Sequence, residues 1–61
     1  MKVGDLVECL SLENKILWEK GIILNCYENQ ESGQSTYWVW LQGSNFRHEF
    51  FYEELKLLSE A

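Results

Sequence analysis

The stretch TYWVWL, residues 36–41, decides the fold because it consists almost entirely of residues that favour β-strands. We therefore expect a strand over residues 36–42. Side chains alternate between the two faces of a strand. One face is expected to be buried in the core and the other to point outward, and the two sets are Tyr37, Val39 and Leu41 against Trp38, Trp40 and Gln42.

Four other short segments are rich in aliphatic and aromatic residues and predict strands over Leu6–Leu10, Lys20–Tyr27, Phe46–Phe50 and Leu55–Leu58. Polar or glycine-containing stretches separate them. The run QGSN at residues 42–45 is typical of a tight turn and predicts a hairpin of the third and fourth strands. A single 3₁₀ turn is expected at residues 52–55, because the segment is too short for a longer helix.

The segment SLENKILWEK, residues 11–20, fits two structures. It contains good helix formers, and Ser11 and Asn14 could cap a helix. A helix of ten residues is marginal on its own. We therefore expect a long loop in which Leu17 or Trp18 folds back over the core.

The chain has 61 residues, and this length predicts one small domain over residues 1–61. Five short strands are too few for a sandwich of two full sheets. They can curl into a small barrel, which also hides the strand edges. The expected fold is therefore all-β, a five-stranded small barrel with a single 3₁₀ turn before the last strand.

Acidic residues outnumber basic ones by ten to five, which gives a net charge of −5. Such a balance disfavours nucleic acid and anionic membranes as partners. It favours a basic protein surface, because complementary charge steers encounter. No apolar run approaches the length of a membrane span, and Asp5 and Glu8 interrupt the first apolar stretch, so no signal peptide is expected.

The two cysteines, Cys9 and Cys26, and the single histidine, His48, show no metal-binding spacing. Each cysteine lies in an apolar segment, where a free thiol behaves as a small hydrophobic group. We expect no disulfide, no metal, no cofactor and a reducing cytoplasmic location. No set of nucleophile, base and orienting group can be assembled, so we do not expect an enzyme.

The order of the short motifs resembles the SH3-like small barrels of the Tudor and KOW type. It is particularly similar to short barrel proteins of bacteriophages and bacteria. The resemblance covers nearly the whole chain and is carried by Gly4-Asp5-Leu6-Val7, Gly21-Ile22-Ile23, Tyr37-x-Val39-x-Leu41, the turn at Gly43 and Tyr52-Glu53-Glu54-Leu55. Leu41 stands where these proteins often have Trp, and Gln42 where they often have Asp.

Proteins of this type bind proline-rich peptides, methylated lysine or arginine, RNA or other proteins, so the resemblance implies a fold more than an activity. For this acidic chain it implies a protein-interaction module, such as a phage-encoded accessory protein. The resemblance also implies that Tyr37, Val39 and Leu41 face the core. The outward Trp38 and Trp40 then form a patch for a protein partner or a second copy. Two alternatives are that another segment covers these rings, or that the strand is inverted and buries them.

The expected partner-binding residues are the aromatic and acidic side chains Trp38, Trp40, Trp18, Tyr27, Glu53 and Glu54. The same kinds of residue would suit a cage for a cationic ligand. A further alternative is binding of RNA or single-stranded DNA through the strand that carries Arg47 and His48. His48 is expected to share a face with Phe46 and Phe50.

Overall fold

In the computed structural model, which describes residues 1–61, five antiparallel strands form one sheet in the order β4-β3-β2-β1-β5. A 3₁₀ turn over Tyr52–Glu54 precedes the last strand. The chain is therefore all-β, as predicted. No backbone pairing joins the two end strands. The strands are β1 (Leu6–Ser11), β2 (Ile16–Glu28), β3 (Ser35–Leu41), β4 (Phe46–Phe51) and β5 (Leu55–Ser59).

The expectation of a long loop over residues 11–20 is wrong, because β1 and β2 form a hairpin joined by a turn at residues 12–15. The turn closes through a hydrogen bond from the Lys15 N–H to the Leu12 carbonyl, 3.3 Å, and Lys15 adopts a positive φ of 58°. The Asn14 side chain donates to the Ser11 hydroxyl at 3.0 Å. The polar residues that could cap a helix therefore stabilise a turn.

A β-bulge at Trp18 explains which residues of this segment are buried. Cys9 pairs with Glu19, but Leu10 pairs with Leu17, so Trp18 is an extra residue on β2. The extra residue shifts the alternation by one position. Ile16 is therefore buried, whereas Leu17 and Trp18 are exposed and do not fold over the core.

β2 is the central strand and pairs with β1 through its first half and with β3 through its second. Only Gly21 and Ile22 pair on both sides, Gly21 with Val7 and Leu41. Gly21 lies close to the backbone of β3, as glycines within strands often do. Gly21 lies within the strand predicted over Lys20–Tyr27, and the observed β2 begins earlier, at Ile16.

The core lies on the inner face of the sheet, and the facing predicted for residues 37–41 is confirmed. Tyr37, Val39 and Leu41 are buried, together with Phe50 from β4. The other buried apolar side chains come from β1 and β2 and are Val7, Cys9, Ile16 and Ile23. Inversion of β3 is therefore excluded.

The buried carboxylate of Asp5 joins the two ends of the chain. Its two oxygens accept hydrogen bonds from the Lys2 N–H and the Ala61 N–H, both at 2.9 Å. The Lys2 ammonium forms an ion pair with it at 3.4 Å. The hydrogen bond from Ala61, followed by the one from Lys2, lowers the pKa of Asp5 below its ordinary value.

We predict that Asp5→Asn destabilises the protein, because an amide NH₂ would face backbone N–H donors in a buried position. The folded pKa of Asp5 is lowered, so the carboxylate stabilises the fold above the unfolded pKa of about 3.9 and loses this effect as the pH falls through the folded pKa. Urea unfolding should show a stability gap between wild type and variant at pH 7 that narrows below about pH 4. The exposed Glu13→Gln is the control, and a gap that stays constant down to low pH would contradict the prediction.

Candidate functional site

The outer face of β2, β3 and β4 carries the two tryptophans of the decisive stretch. Cross-strand pairing places Trp40 between Ile22 and Arg47, and Trp38 between Asn25 and Glu49. A third row consists of Tyr27, Thr36 and Phe51. We call this surface, made of these three rows, the tryptophan face.

The tryptophan face is partly open to solvent. Trp40 is 37% exposed, Phe51 is 45% exposed and Trp38 is half-buried. The segment at residues 11–18, one of the segments that could have covered these rings, forms part of the β1–β2 hairpin instead. Exposed aromatic rings that adjoin one another on a sheet surface form an apolar patch, and such a patch often marks an interaction site.

Two grooves meet on this face at Tyr27 and Trp38. The first has a volume of about 420 Å³ and is also lined by Leu24, Asn25 and Arg47. The second has a volume of about 610 Å³ and lies toward the loop at residues 29–34. Its remaining lining combines one ring, two carboxylates and polar groups: Phe51, Glu28, Glu49, Asn29, Ser32, Gln34 and Thr36.

A second β-bulge brings Tyr27 to the tryptophan face. Ile23 pairs with Val39 and Asn25 pairs with Trp38, so Leu24 is an extra residue on β2. The alternation shifts by one position after the bulge. Tyr27 therefore lies on the same side as Trp38, and Leu24 itself lines the first groove.

The loop beside the second groove is held by Asn29. Its side-chain oxygen accepts the N–H of Glu31 at 3.0 Å, and its carbonyl accepts the N–H of Gly33 at 2.7 Å. Gly33 has a positive φ of 70°, which glycine adopts without strain. These bonds shape the polar wall that faces the rings.

Charged residues on β4 stand beside the two tryptophans. Arg47 is opposite Trp40 and Glu49 is opposite Trp38. Neither forms an ion pair, since the salt bridge of the structure joins Lys2 to Asp5. The face therefore offers aromatic surface with one cation at one end and carboxylates at the other.

The other residues expected to bind a partner lie away from the grooves. Trp18 is 49% exposed at its bulge opposite β1. Glu53 and Glu54 belong to the 3₁₀ turn, where the Glu54 carboxylate accepts the Phe51 N–H at 2.9 Å. The structure thus brings together Trp38, Trp40 and Tyr27 of the predicted set, but not these three.

On the inner side of β4, His48 packs edge-to-face between two phenylalanines. The ring centroids of His48 and Phe50 are 5.1 Å apart, and those of His48 and Phe46 are 6.3 Å apart. The shared face predicted for these residues is confirmed. Asn14 of the β1–β2 turn lies within hydrogen-bond distance of the His48 Nε2, at 3.1 Å. Arg47 and His48 therefore point to opposite faces and form no joint surface.

Both thiols are free, but their environments differ. Burial, with the nearby Glu19 and Glu54 carboxylates, raises the pKa of Cys9 to about 12, so it behaves as the expected small hydrophobic group. The same expectation for Cys26 is wrong, because Cys26 is exposed. It lies beyond the part of β2 that β1 covers. No cluster of His, Cys, Asp or Glu has the arrangement of a metal site.

Sequence reasoning missed Arg47, Glu49, Phe51 and Leu24 as members of the site. Three of them could have been found by counting across the β3–β4 turn, because Trp40 pairs with Arg47 and alternation then assigns Glu49 and Phe51 to the same face. Leu24 could not have been found, because its position depends on a one-residue bulge.

These features define a small antiparallel β-protein with an outward aromatic face. A membrane-crossing helix would need a length and an apolar character that no helix in this structure has. No family model, curated protein or solved structure matches the chain.

Proposed function

We propose that the chain is a small protein-interaction module that binds a protein partner through the tryptophan face. The observation that carries the proposal is the position of Trp38 and Trp40 on one outer surface, where two grooves meet. Aromatic anchors surrounded by polar side chains are the usual arrangement of a binding hot spot. The resemblance to SH3-like barrels, many of which act as assembly modules, agrees with this role.

The proposed partner is basic. The second groove places Glu28 and Glu49 beside the rings of Trp38 and Phe51 and includes no cationic side chain. A lysine or arginine of the partner would gain attraction both from the carboxylates and from the faces of the rings. The net charge of −5 acts in the same direction at longer range.

A cage for a small cationic ligand is the second candidate, and the same groove favours it. Three rings, those of Tyr27, Trp38 and Phe51, line this groove together with two carboxylates. The two candidates differ in the extent of the surface that they use. A protein partner also covers Trp40, which does not line the groove, whereas a small ligand does not.

The proposal is tested by capture from an extract of the native cell on immobilised chain, followed by mass spectrometry. We expect Trp40→Ala to weaken the interaction with the captured protein by roughly 30-fold, the effect of a hot-spot residue worth about 2 kcal/mol. Trp18→Ala is the matched control, since it removes the same ring from an exposed position elsewhere. It should leave capture unchanged, and added salt should weaken capture by the wild type.

Two results would count against the proposal. One is equal capture by Trp40→Ala and the wild type. The other is a loss with Trp18→Ala that matches the loss with Trp40→Ala. Binding of trimethyllysine that Trp40→Ala leaves intact and Trp38→Ala abolishes would favour the cationic-ligand cage instead.

A further inference from the structure

β4 is an edge strand, and its two faces carry apolar and charged side chains. It pairs with β3 on one side and with no strand on the other. Phe46 is 42% exposed, and Phe51 on the opposite face is also exposed. An edge of this kind presents unpaired backbone N–H and carbonyl groups to a further strand.

We propose that a second copy of the chain pairs antiparallel with β4, with His48 of one copy opposite His48 of the other. Such a pair has a two-fold axis perpendicular to the sheet and is closed, because each copy uses the same edge. The inference goes beyond the proposed function, since it concerns the strand edge and not the binding of another protein by the tryptophan face.

The charge pattern of β4 selects this register. Pairing about His48 puts Arg47 of each copy opposite Glu49 of the other, so that two complementary pairs form. Pairing about Arg47 or Glu49 would place like charges opposite each other. Pairing about Phe50 would place Glu49 opposite Phe51 and leave Arg47 beyond the end of the partner's β4. Arg47 and Glu49 both lack an ion-pair partner within the chain.

The same register also covers apolar surface. It places the exposed Phe46 of one copy opposite Phe50 of the other, on the inner side of the sheet. Because the two-fold axis is perpendicular to the sheet, the two tryptophan faces lie on the same side of the joined sheet. A dimer of this kind would present two aromatic faces to one partner.

β5, the other edge strand, does not offer the same complementarity. Its only charged residue is Lys56. Symmetric pairing about Lys56 brings two cations together, and pairing about Leu57 places each lysine opposite Leu58. The charges therefore distinguish β4 from β5 as the edge that pairs.

The experiment is sedimentation equilibrium of the full chain over a range of concentrations up to about 1 mM. The wild type should approach twice the monomer mass as concentration rises. Arg47→Glu and Glu49→Arg each turn two complementary pairs into two repulsive ones, so each should raise the dissociation constant roughly tenfold or more. Lys56→Glu on β5 and Glu53→Arg in the 3₁₀ turn change the charge equally and should leave it unchanged.

Variants that restore opposite charges at positions 47 and 49 give a more specific test than the single variants alone. An equimolar mixture of Arg47→Glu and Glu49→Arg should form a heterodimer, because each charge again meets its opposite. The double variant, which exchanges the two charges, should dimerise to within about threefold of the wild type. Circular dichroism of each variant serves as the control that tests whether it is folded.

A wild type that stays monomeric up to about 1 mM would overturn the inference, as would a dimer that Arg47→Glu leaves intact. A mixture of the two single variants that fails to form a heterodimer would also overturn it. A monomeric chain that still captures a protein through Trp40 would leave the proposed function standing. A dimer that captures nothing would leave this inference standing alone.

Discussion

Phe50→Ala should unfold the protein or remove a large part of its stability. Phe50 is 1% exposed and packs edge-to-face on His48. It pairs with the buried Tyr37 of the neighbouring strand β3. Truncating a buried phenylalanine costs about 3–5 kcal/mol. A domain of this size has a total stability of only about 3–9 kcal/mol, at 0.05–0.15 kcal/mol per residue.

Urea unfolding followed by circular dichroism measures this loss. Phe51→Ala is the matched control, because the neighbouring phenylalanine lies on the outer face and is exposed. It should cost about 1 kcal/mol, in proportion to the smaller apolar area that it buries. Equal losses for the two variants would show that the inner face is not the core.

Gly21→Ala is the second large effect that we expect. An added Cβ at Gly21 would lie 2.5 Å from the Trp40 carbonyl oxygen and 2.5 Å from Cγ1 of the buried Val39. The backbone of β3 cannot move away without breaking its pairing with β2. Overpacking of this kind costs about 1–3 kcal/mol and occasionally more, and we expect the upper part of that range.

Gly43→Ala is the control for this substitution. Its Cβ would meet only the Glu19 side chain, at 2.9 Å from the carboxylate, and that flexible group can shift. We expect a loss of less than about 1 kcal/mol in urea unfolding. A Gly21→Ala protein as stable as the Gly43→Ala protein would contradict the close approach of β2 and β3.

The strands could be predicted from the sequence, because β-branched and aromatic residues cluster there. Alternation divided the side chains of β3 into two sets, but the resemblance to SH3-like barrels, and not the alternation, indicated which set is buried. The β3–β4 hairpin could be predicted because the QGSN run at residues 42–45 consists of residues typical of a tight turn. The aspartate of the Gly4-Asp5 start connects the two ends of the chain, because its carboxylate accepts hydrogen bonds from the backbone N–H groups of Lys2 and Ala61.

The bulges at Trp18 and Leu24 could not be predicted. Each inserts one residue without a change in composition, and each reverses the side to which the following residues point. Exposure of Leu17 and membership of Tyr27 in the tryptophan face both depend on them. The early start of β2 could not be predicted, because residues 11–20 fit a helix or a loop locally, and only pairing with β1 makes residues 12–15 a turn and the following residues a strand.

The position of the grooves also depends on these bulges. Leu24 forms part of the first groove because it is the extra residue of its bulge. Trp18, which was expected to bind a partner together with Trp38 and Trp40, lies on a part of β2 that pairs with β1. Which of the exposed tryptophans lie together on the tryptophan face could therefore be decided only from the cross-strand register.

The affinity of folded Trp40→Ala for the partner captured by the wild type, compared with that of Trp18→Ala, tests the role of the tryptophan face most directly. If Trp40 is an anchor, its removal weakens binding roughly 30-fold, and removal of Trp18 has no effect. If the two variants bind as the wild type does, the tryptophan face is not the binding surface.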